Sequence, residues 1–585
     1  MTRFLEIRCN PWKGGEDIIQ VELAMNFINT LRYHEIRFTN HRRRRGEMKK
    51  FIVLCLAGLL ILAFGAPGYA QAPKLEFKAS GFLDIQTFLM ENVPQRNTSA
   101  GLYRVVNPNY ASTAVPGTFG FSSPGWNKTD SHWDARANLK FDAIMGPNLS
   151  GTIYFEIDTY RWGTVLNGSA STREANAFGA WTTDRTSVEV KNVYIDFGLP
   201  YFGIPVPVTV RVGAQPIGVR PNMFVYSDGT GVTAGIKIDP VMIIPIYAKA
   251  LENLDFADDD VDVWGLHVNA KLGTFTVGGY GLNYRMNTYP FFVNGATIVA
   301  PTFGGTQGAM TGILNTTPGT FKSHMWWFGA YADGKAGPVN LNFDFVCDYG
   351  SVDERQSSIR GLHNVNYRGW ATRLKVDYPW EKFNFGGTFM YASGTNALHS
   401  SNTGLPGSTS SRGTYSSYVS GYVGPPGAEQ DTANNESIVV YGMENGASGG
   451  IGIAKNVNNA AMSRSGFGGT WFAKLSGSVK ATPWYKLTLQ GLYIGDTTEN
   501  GNTFGNAVKY KGPTGVGAGL LRNDTNIGWE FDLINEIQIY NNLKFIVGAG
   551  YLIAGDALDI NMNGTGINRA AANPWAVRTR LMYTF

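Results

Sequence analysis

Residues 134–148 read DARANLKFDAIMGPN, and their two-residue rhythm decides the fold. Asp134, Arg136, Asn138, Lys140 and Asp142 fall on one face of an extended chain, and Ala135, Ala137, Leu139, Phe141 and Ala143 on the other. Met145-Gly-Pro-Asn148 then interrupts the run with turn residues. From Thr152 to Asp158 the rhythm resumes, with Ile153, Phe155 and Ile157 opposed to Thr152, Tyr154, Glu156 and Asp158. Two such runs around a short break predict an antiparallel hairpin with one polar and one apolar face. The same pattern recurs at Val208, Val210 and Val212 around Arg211. It recurs again at Leu341, Phe343 and Phe345 against Asn340, Asn342 and Asp344.

Alternation alone also fits a soluble sandwich, so connection lengths have to separate the two. Short links fall at Met145–Asn148, Leu199–Val206, Asp239–Val241, Leu272–Thr274, Lys335–Pro338, Tyr378–Lys382, Thr482–Tyr485 and Tyr540–Asn542. Between them lie mostly longer links, at 92–130, 163–186, 217–230, 254–260, 290–322, 352–365, 395–467, 498–526 and 556–574. Strict sorting into short and long connections is the habit of a transmembrane β-barrel, with short periplasmic turns and long external loops. The sequence therefore predicts an all-β antiparallel transmembrane barrel of about 18 strands, with 16 as the alternative, starting at Lys74–Met90. Aromatic residues beside the turns, such as Trp264, Trp326, Trp380, Trp484, Trp529 and Tyr540, suit two interfacial girdles.

The N-terminal region has a different character. Phe51–Pro67 reads FIVLCLAGLLILAFGAP, follows Met48-Lys49-Lys50 and precedes Gly68-Tyr69-Ala70. This is the layout of a secretory signal peptide. The expected organisation is an upstream extension at 1–47, a signal peptide at 48–70 and a barrel at 71–585. Of 49 Lys+Arg and 45 Asp+Glu, 11 and 6 lie in residues 1–70. That leaves 38 and 39, a net of −1, so the remainder gives no reason to invoke nucleic acid. Beyond Cys9 and Cys55 the chain holds only Cys347, which excludes an intramolecular disulfide or a cysteine metal cluster there.

No CxxCH, HExxH or Walker pattern occurs, and no cofactor and no enzymatic activity are expected. Gly449-Gly-Ile-Gly452 reads as flexible loop. The run Asp258-Asp259-Asp260 reads as a solvated loop tip rather than a cation site. The inward charges are the functional material. Pore-lining candidates are Arg136, Lys140, Glu156, Asp158, Arg211, Arg220, Asp228, Lys237, Arg285, Arg373, Arg578 and Arg580. Asp344, Asp348, Lys474, Glu530, Asp532 and Glu536 share the inward phase. Rings of such charges set ion preference.

The last ten residues, Ala576–Phe585, alternate Val577, Thr579, Leu581, Tyr583 and Phe585 with Arg578, Arg580, Met582 and Thr584. This resembles the final strand of Gram-negative outer-membrane proteins. The resemblance implies that Tyr583 and Phe585 form a signal read by the barrel-assembly machinery. Val193-Tyr-Ile-Asp-Phe-Gly198 and Val210-Arg-Val-Gly-Ala-Gln215 together resemble a porin segment. That likeness implies that the next external loop, about Pro216–Thr230 with Arg220 and Asp228 as its charges, folds into the lumen. Resemblance to porins further implies contact with outer-membrane lipid and lipopolysaccharide, and a homotrimer.

The expected function is a water-filled channel for passive diffusion of small polar solutes and ions. Alternatives are a substrate-selective or polysaccharide-exporting barrel, in which loop 395–467 offers Tyr415, Tyr418 and Tyr422 for stacking on sugars, or a barrel sheath for a partner cytochrome.

Overall fold

A strand in hydrocarbon leaves no unpaired peptide group without a cost of several kcal/mol, so a spanning sheet has to close on itself. Eighteen strands do so here. The computed structural model describes residues 74–92, 129–159, 188–199, 206–221, 223–252, 260–287, 321–354, 365–396, 418–425, 436–442, 453, 467–505, 507, 509, 522–561 and 568–585. The expected extension and signal peptide lie outside them. The wall runs in chain order through β1 (Leu75–Glu91), β2 (Thr129–Met145), β3 (Leu149–Thr159), β4 (Glu189–Gly198), β5 (Val208–Val219) and β6 (Val225–Ile238). It continues through β7 (Val241–Leu251), β8 (Val261–Leu272), β9 (Phe275–Met286), β10 (Phe321–Ala336), β11 (Val339–Glu354) and β12 (Trp370–Trp380). It ends with β13 (Phe383–Ala392), β14 (Thr470–Thr482), β15 (Tyr485–Asp496), β16 (Asn526–Tyr540), β17 (Leu543–Ala554) and β18 (Trp575–Thr584).

Each wall strand pairs antiparallel with its neighbours, and the ring closes where β1 meets β18, from Phe82 opposite Thr584 to Glu91 opposite Trp575. Phe585 extends the seam: its N–H donates to Gly81 O at 3.1 Å and its carbonyl accepts from Gly81 N at 2.9 Å. Arg580 Nε donates to Asp84 Oδ1 across the same seam at 2.9 Å. The tight turns fall where the sequence puts them, including Gly146–Asn148, Asp239–Pro240, Gly273–Thr274 and Asn541–Asn542.

One connection differs. The sequence predicts a loop over 217–230, but β5 runs to Val219 and β6 starts at Val225. Pro216, Gly218 and Gly229 read as loop residues, yet they sit in a paired hairpin, with Gln215 opposite Gly229 and Ile217 opposite Ser227. Gly231 is needed there for close approach: a Cβ would lie 2.0 Å from Tyr247 O.

The two faces of the wall separate as the alternation predicts. Outward positions expose large apolar groups, among them Ile153, Phe343, Leu475, Leu489 and Phe531. Inward neighbours such as Thr152, Glu156, Asp344 and Asp532 are buried. Aromatic rows border the apolar band. On the loop side Trp471, Tyr493 and Trp529 follow one another at 5.5 and 4.9 Å between ring centroids. On the turn side Tyr378, Trp380, Trp484, Tyr540, Tyr583 and Phe585 are exposed. Leu475, 75% exposed on the outward face, is a direct test of this assignment. Leu475→Arg should cost about 2–4 kcal/mol, the range for a cation on the lipid face at the bilayer midplane. Ser476→Arg, one residue along and facing inward, should cost far less. Denaturant titration of the protein refolded in lipid vesicles measures both, and equal losses would contradict the facing.

Candidate functional site

The inner wall divides into two halves with different physics. Toward the tight turns, oppositely charged side chains pair along the wall and stay partly exposed. Lys140 sits 3.0 Å from Asp142, Lys375 3.5 Å from Asp377 and Lys486 2.6 Å from Glu536. Arg211 grips Asp196 through Nε at 2.7 Å and Nη2 at 2.9 Å, and stacks over Tyr194 at 4.2 Å. Exposed pairs of this kind contribute roughly 0–1 kcal/mol each. They keep this half polar rather than holding it together.

Toward the loops, three segments fold inward against the wall and bury it. The first is the tip of the β5–β6 hairpin. Arg220, at a positive φ of 49°, accepts the N–H groups of Met223 and Phe224 at its carbonyl and turns the chain. Met223 and Phe224 are almost fully buried, and Phe224 stacks on Tyr280 of β9 at 4.9 Å. The Arg220 guanidinium reaches β10 and β11. Its Nε donates to Asp344 at 2.5 Å, Nη1 and Nη2 to Asp333 at 2.5 and 3.0 Å, and its plane lies 4.1 Å above Tyr331. Beneath it the inward residues of β7–β9 are apolar: Ile246, Ala248, Val261, Val263, Leu282, Tyr284 and Met286 are all buried.

The second segment is 418–425. Val419 pairs beside Tyr367, and Asp348 of β11 accepts the N–H groups of Gly369 at 2.7 Å and Val423 at 3.0 Å. Trp327 Nε1 donates to Val423 O at 2.9 Å. Tyr422 is fully buried face to face with Phe467 at 5.8 Å, so it is not available to stack on a sugar. Tyr418 is exposed, with Arg368 5.1 Å from its ring, and Tyr415 lies outside the described residues.

The third segment, 436–442, is held by carboxylates of β16. Glu530 accepts the N–H groups of Val439 and, at 3.0 Å, Val440; Asp532 accepts that of Ile438 at 3.2 Å. Ser437 through Tyr441 are buried, and Tyr441 Oη meets Thr470 Oγ1 at 2.9 Å. Glu436 pairs with Arg373 of β12 and Lys474 of β14. The same device recurs at Asp496, which accepts the N–H groups of Thr498 at 2.7 Å and Thr503 at 2.5 Å.

Most of the sequence-predicted residues lie on the inner face. Glu156 gathers Arg136 at 3.7 Å and Lys191 at 3.2 Å, and Lys191 also meets Asp228 at 3.0 Å. Lys140, Arg211, Arg373, Arg578 and Arg580 share the inward phase of their strands, and Arg578 is buried over Phe88 at 5.9 Å. Lys237 sits at the turn-side rim, 3.3 Å from Asp239. Asp158 stands opposite Arg136 in register, its side chain outside the described residues. Arg285 corrects the sequence reading: it is exposed and out of phase with buried Tyr284 and Met286. The cause is the apolar inner surface of β9, which reverses the usual link between polarity and inward facing. Lys191, Tyr331, Asp333 and Asp496 were not singled out from the sequence. The one available signal for the third segment is Ile438-Val-Val-Tyr441, an apolar run inside a Gly/Ser/Asn-rich loop.

Of the acidic run, Asp260 pairs with Lys249 at 2.8 Å, while Asp258 and Asp259 lie outside the described residues. Among the described residues, no group of three or more His, Cys, Asp or Glu is arranged to hold a metal ion.

The fold is a closed antiparallel β-barrel of eighteen strands. No protein-family model matches the chain, and no curated protein matches it. Solved structures do. The chain is similar to OccK8 (OprE) of Pseudomonas aeruginosa, at 10% identity and a TM-score of 0.43 over 87% of this chain and 98% of that one. It is similar to OccK1 (OpdK) of the same organism at 7% identity and 0.42, covering 87% and 98%. It is similar to OccK11 (OpdR), also of Pseudomonas aeruginosa, at 9% identity and 0.40, covering 87% and 96%.

Two outcomes test this site. Arg220→Ala removes the hairpin's hold on Asp333 and Asp344. Breaking a buried pair costs about 3–5 kcal/mol; with the Asp333 side chain 35% exposed the expected local loss is nearer ~2 kcal/mol. Amide exchange at 219–225 should accelerate by at least tenfold while the strands stay protected; unchanged exchange would rule out the latch. For Glu436, burial alone would push the carboxyl up from 4.5, but Lys474 and Arg373 outweigh it and hold the group down to about 2. A lowered value means that its ion pairs stabilise the segment fully above 4.5 and that this stabilisation declines as pH falls from there through about 2. Amide protection at 438–441 should therefore stay flat from neutral pH down through 4.5. Protection that does not fall between 4.5 and about 2 would mean that the cations do not hold the carboxylate.

Proposed function

We propose that this chain is an outer-membrane channel through which small polar solutes diffuse, their passage limited by its own inward-folded segments. The observation that carries this reading is a polar inner wall on a closed eighteen-strand ring, crossed by Arg220 and lined on one side by segments 418–425 and 436–442. Eight strands fill with side chains, whereas 16 to 18 leave an aqueous lumen. Outward Leu, Ile, Phe and Val between two aromatic rows support residence in a bilayer, and a closed β-ring with short turns on one side supports the outer membrane.

The inward segments favour a size- and charge-selective channel over an open sieve. They also weigh against a barrel sheath, since they take up lumen that a partner cytochrome would need. Tyr583 and Phe585, exposed at the turn-side rim, are in position to serve as the assembly signal expected from the final strand.

Reconstitution into planar bilayers tests the reading. Discrete conductance steps are expected, with Arg220→Ala giving larger steps than the parent protein. Folded protein that inserts and yields no steps in any electrolyte would overturn it.

A further inference from the structure

One stretch of the closed wall has a neighbour on one side only. β1 pairs with β2 along its whole length, from Leu75 opposite Met145 to Glu91 opposite Thr129. On its other side β18 accompanies it from Phe82 onward, and the two hydrogen bonds between Gly81 and Phe585 are the last rung. Leu75 to Ser80 continue past that rung on the turn side, and every one of them is exposed.

The same rung fixes where their peptide groups point. Gly81 gives both its N–H and its carbonyl to Phe585, so it faces away from β2. Facing alternates along an antiparallel ladder. Leu75, Phe77 and Ala79 therefore share the facing of Gly81 and turn their N–H and C=O groups to an open edge, while those of Glu76, Lys78 and Ser80 turn to β2. Among the described residues no strand meets that edge. A row of unpaired peptide groups on an extended strand is a template for another strand.

The side chains specify what kind of strand fits. Phe77 is 77% exposed, more than any other large apolar side chain among the described residues, and stands across from only an alanine, Ala143. On the opposite face Lys78 stands across from Asp142, which is already engaged by Lys140 at 3.0 Å and by Thr152 at 2.6 Å. An added strand would set an apolar residue beside Phe77 and, from the next position, a carboxylate beside Lys78. Lysine on an edge deters indiscriminate pairing, and here it also selects, because a cation at that place is repelled. A second copy fits badly: two barrels in one membrane share an orientation, so their β1 edges cannot meet antiparallel.

We propose that Leu75–Ser80 is a docking edge for an extended segment of a polypeptide partner on the turn side of the membrane, the periplasmic side of such a barrel. The partner adds a strand with an apolar residue next to Phe77 and an acidic one next to Lys78. Nothing in this depends on whether the ring conducts.

A capped peptide, Thr-Val-Glu-Val-Lys-Thr, is the matched probe: running antiparallel, it sets its glutamate opposite Lys78 and a valine opposite Phe77. Its counterpart N-methylated at both valines keeps the side chains and loses the donors. Added to the folded protein in lipid nanodiscs, the plain peptide should bind saturably. It should slow amide exchange at Leu75, Phe77 and Ala79 at least tenfold and leave Glu76, Lys78 and Ser80 unchanged. The N-methylated peptide should do neither. Ala79→Pro should abolish binding while β1 stays paired with β2, because the lost N–H faces the open edge. Lys78→Glu should weaken binding at least severalfold, and a peptide with lysine in place of its glutamate should restore it. Absence of binding, equal binding of the two peptides, equal slowing at all the residues from Leu75 to Ser80, or an Ala79→Pro protein that binds like the parent would overturn the proposal. Self-association of the parent that Ala79→Pro removes would overturn it too, by giving the edge to a second copy.

Discussion

A peptide group removed from water has to find a partner, and this one requirement shapes the molecule twice. In the wall it is met by neighbouring strands, up to the seam where Gly81 and Phe585 exchange hydrogen bonds and close the ring. Inside the wall it returns, because segments folded into the lumen bring backbone N–H groups away from solvent without a sheet to join. There the partners are carboxylates. Asp348, Asp496, Glu530 and Asp532 each face inward near the loop ends of their strands and accept N–H groups from the chain laid over them. A carboxylate serves well here because it has two oxygens and only accepts.

The same rule explains why the lumen has two characters. Near the tight turns the ion pairs are partly exposed, so water screens them and each contributes little. Near the loops the charges are buried, and removing one member of a buried pair strands the other at high cost. The result is a partly exposed polar zone toward the turns and a buried, hydrogen-bonded zone toward the loops. Beneath the β5–β6 hairpin the wall even turns apolar, with Leu282 and Tyr284 packed against the folded tip as in a soluble core.

How much of this was legible follows from range. Alternation is a local property, and among the described residues it locates the strands, most of their facing and seven of the tight turns. It failed where a distant segment changes the meaning of a face. Arg285 reads as inward because its neighbours are apolar, yet those neighbours are the inward residues, covered by the hairpin. The hairpin itself reads as a loop because Pro216 and several glycines are common turn residues, although pairing between β5 and β6 holds them in a ladder. Asp348, Glu530 and Asp532 were visible as inward charges, but nothing near them in the chain says that they bind backbone rather than solute.

The amino-acid order by itself determined a closed antiparallel wall, since period-two alternation with sorted connection lengths leaves no other way to pair every strand and bury one face in lipid. Only the tertiary structure decided what fills the ring. The partners that meet there, Arg220 with Asp344 or Glu436 with Lys474, are tens to over a hundred residues apart, and their meeting depends on strand register and loop path rather than on any local pattern.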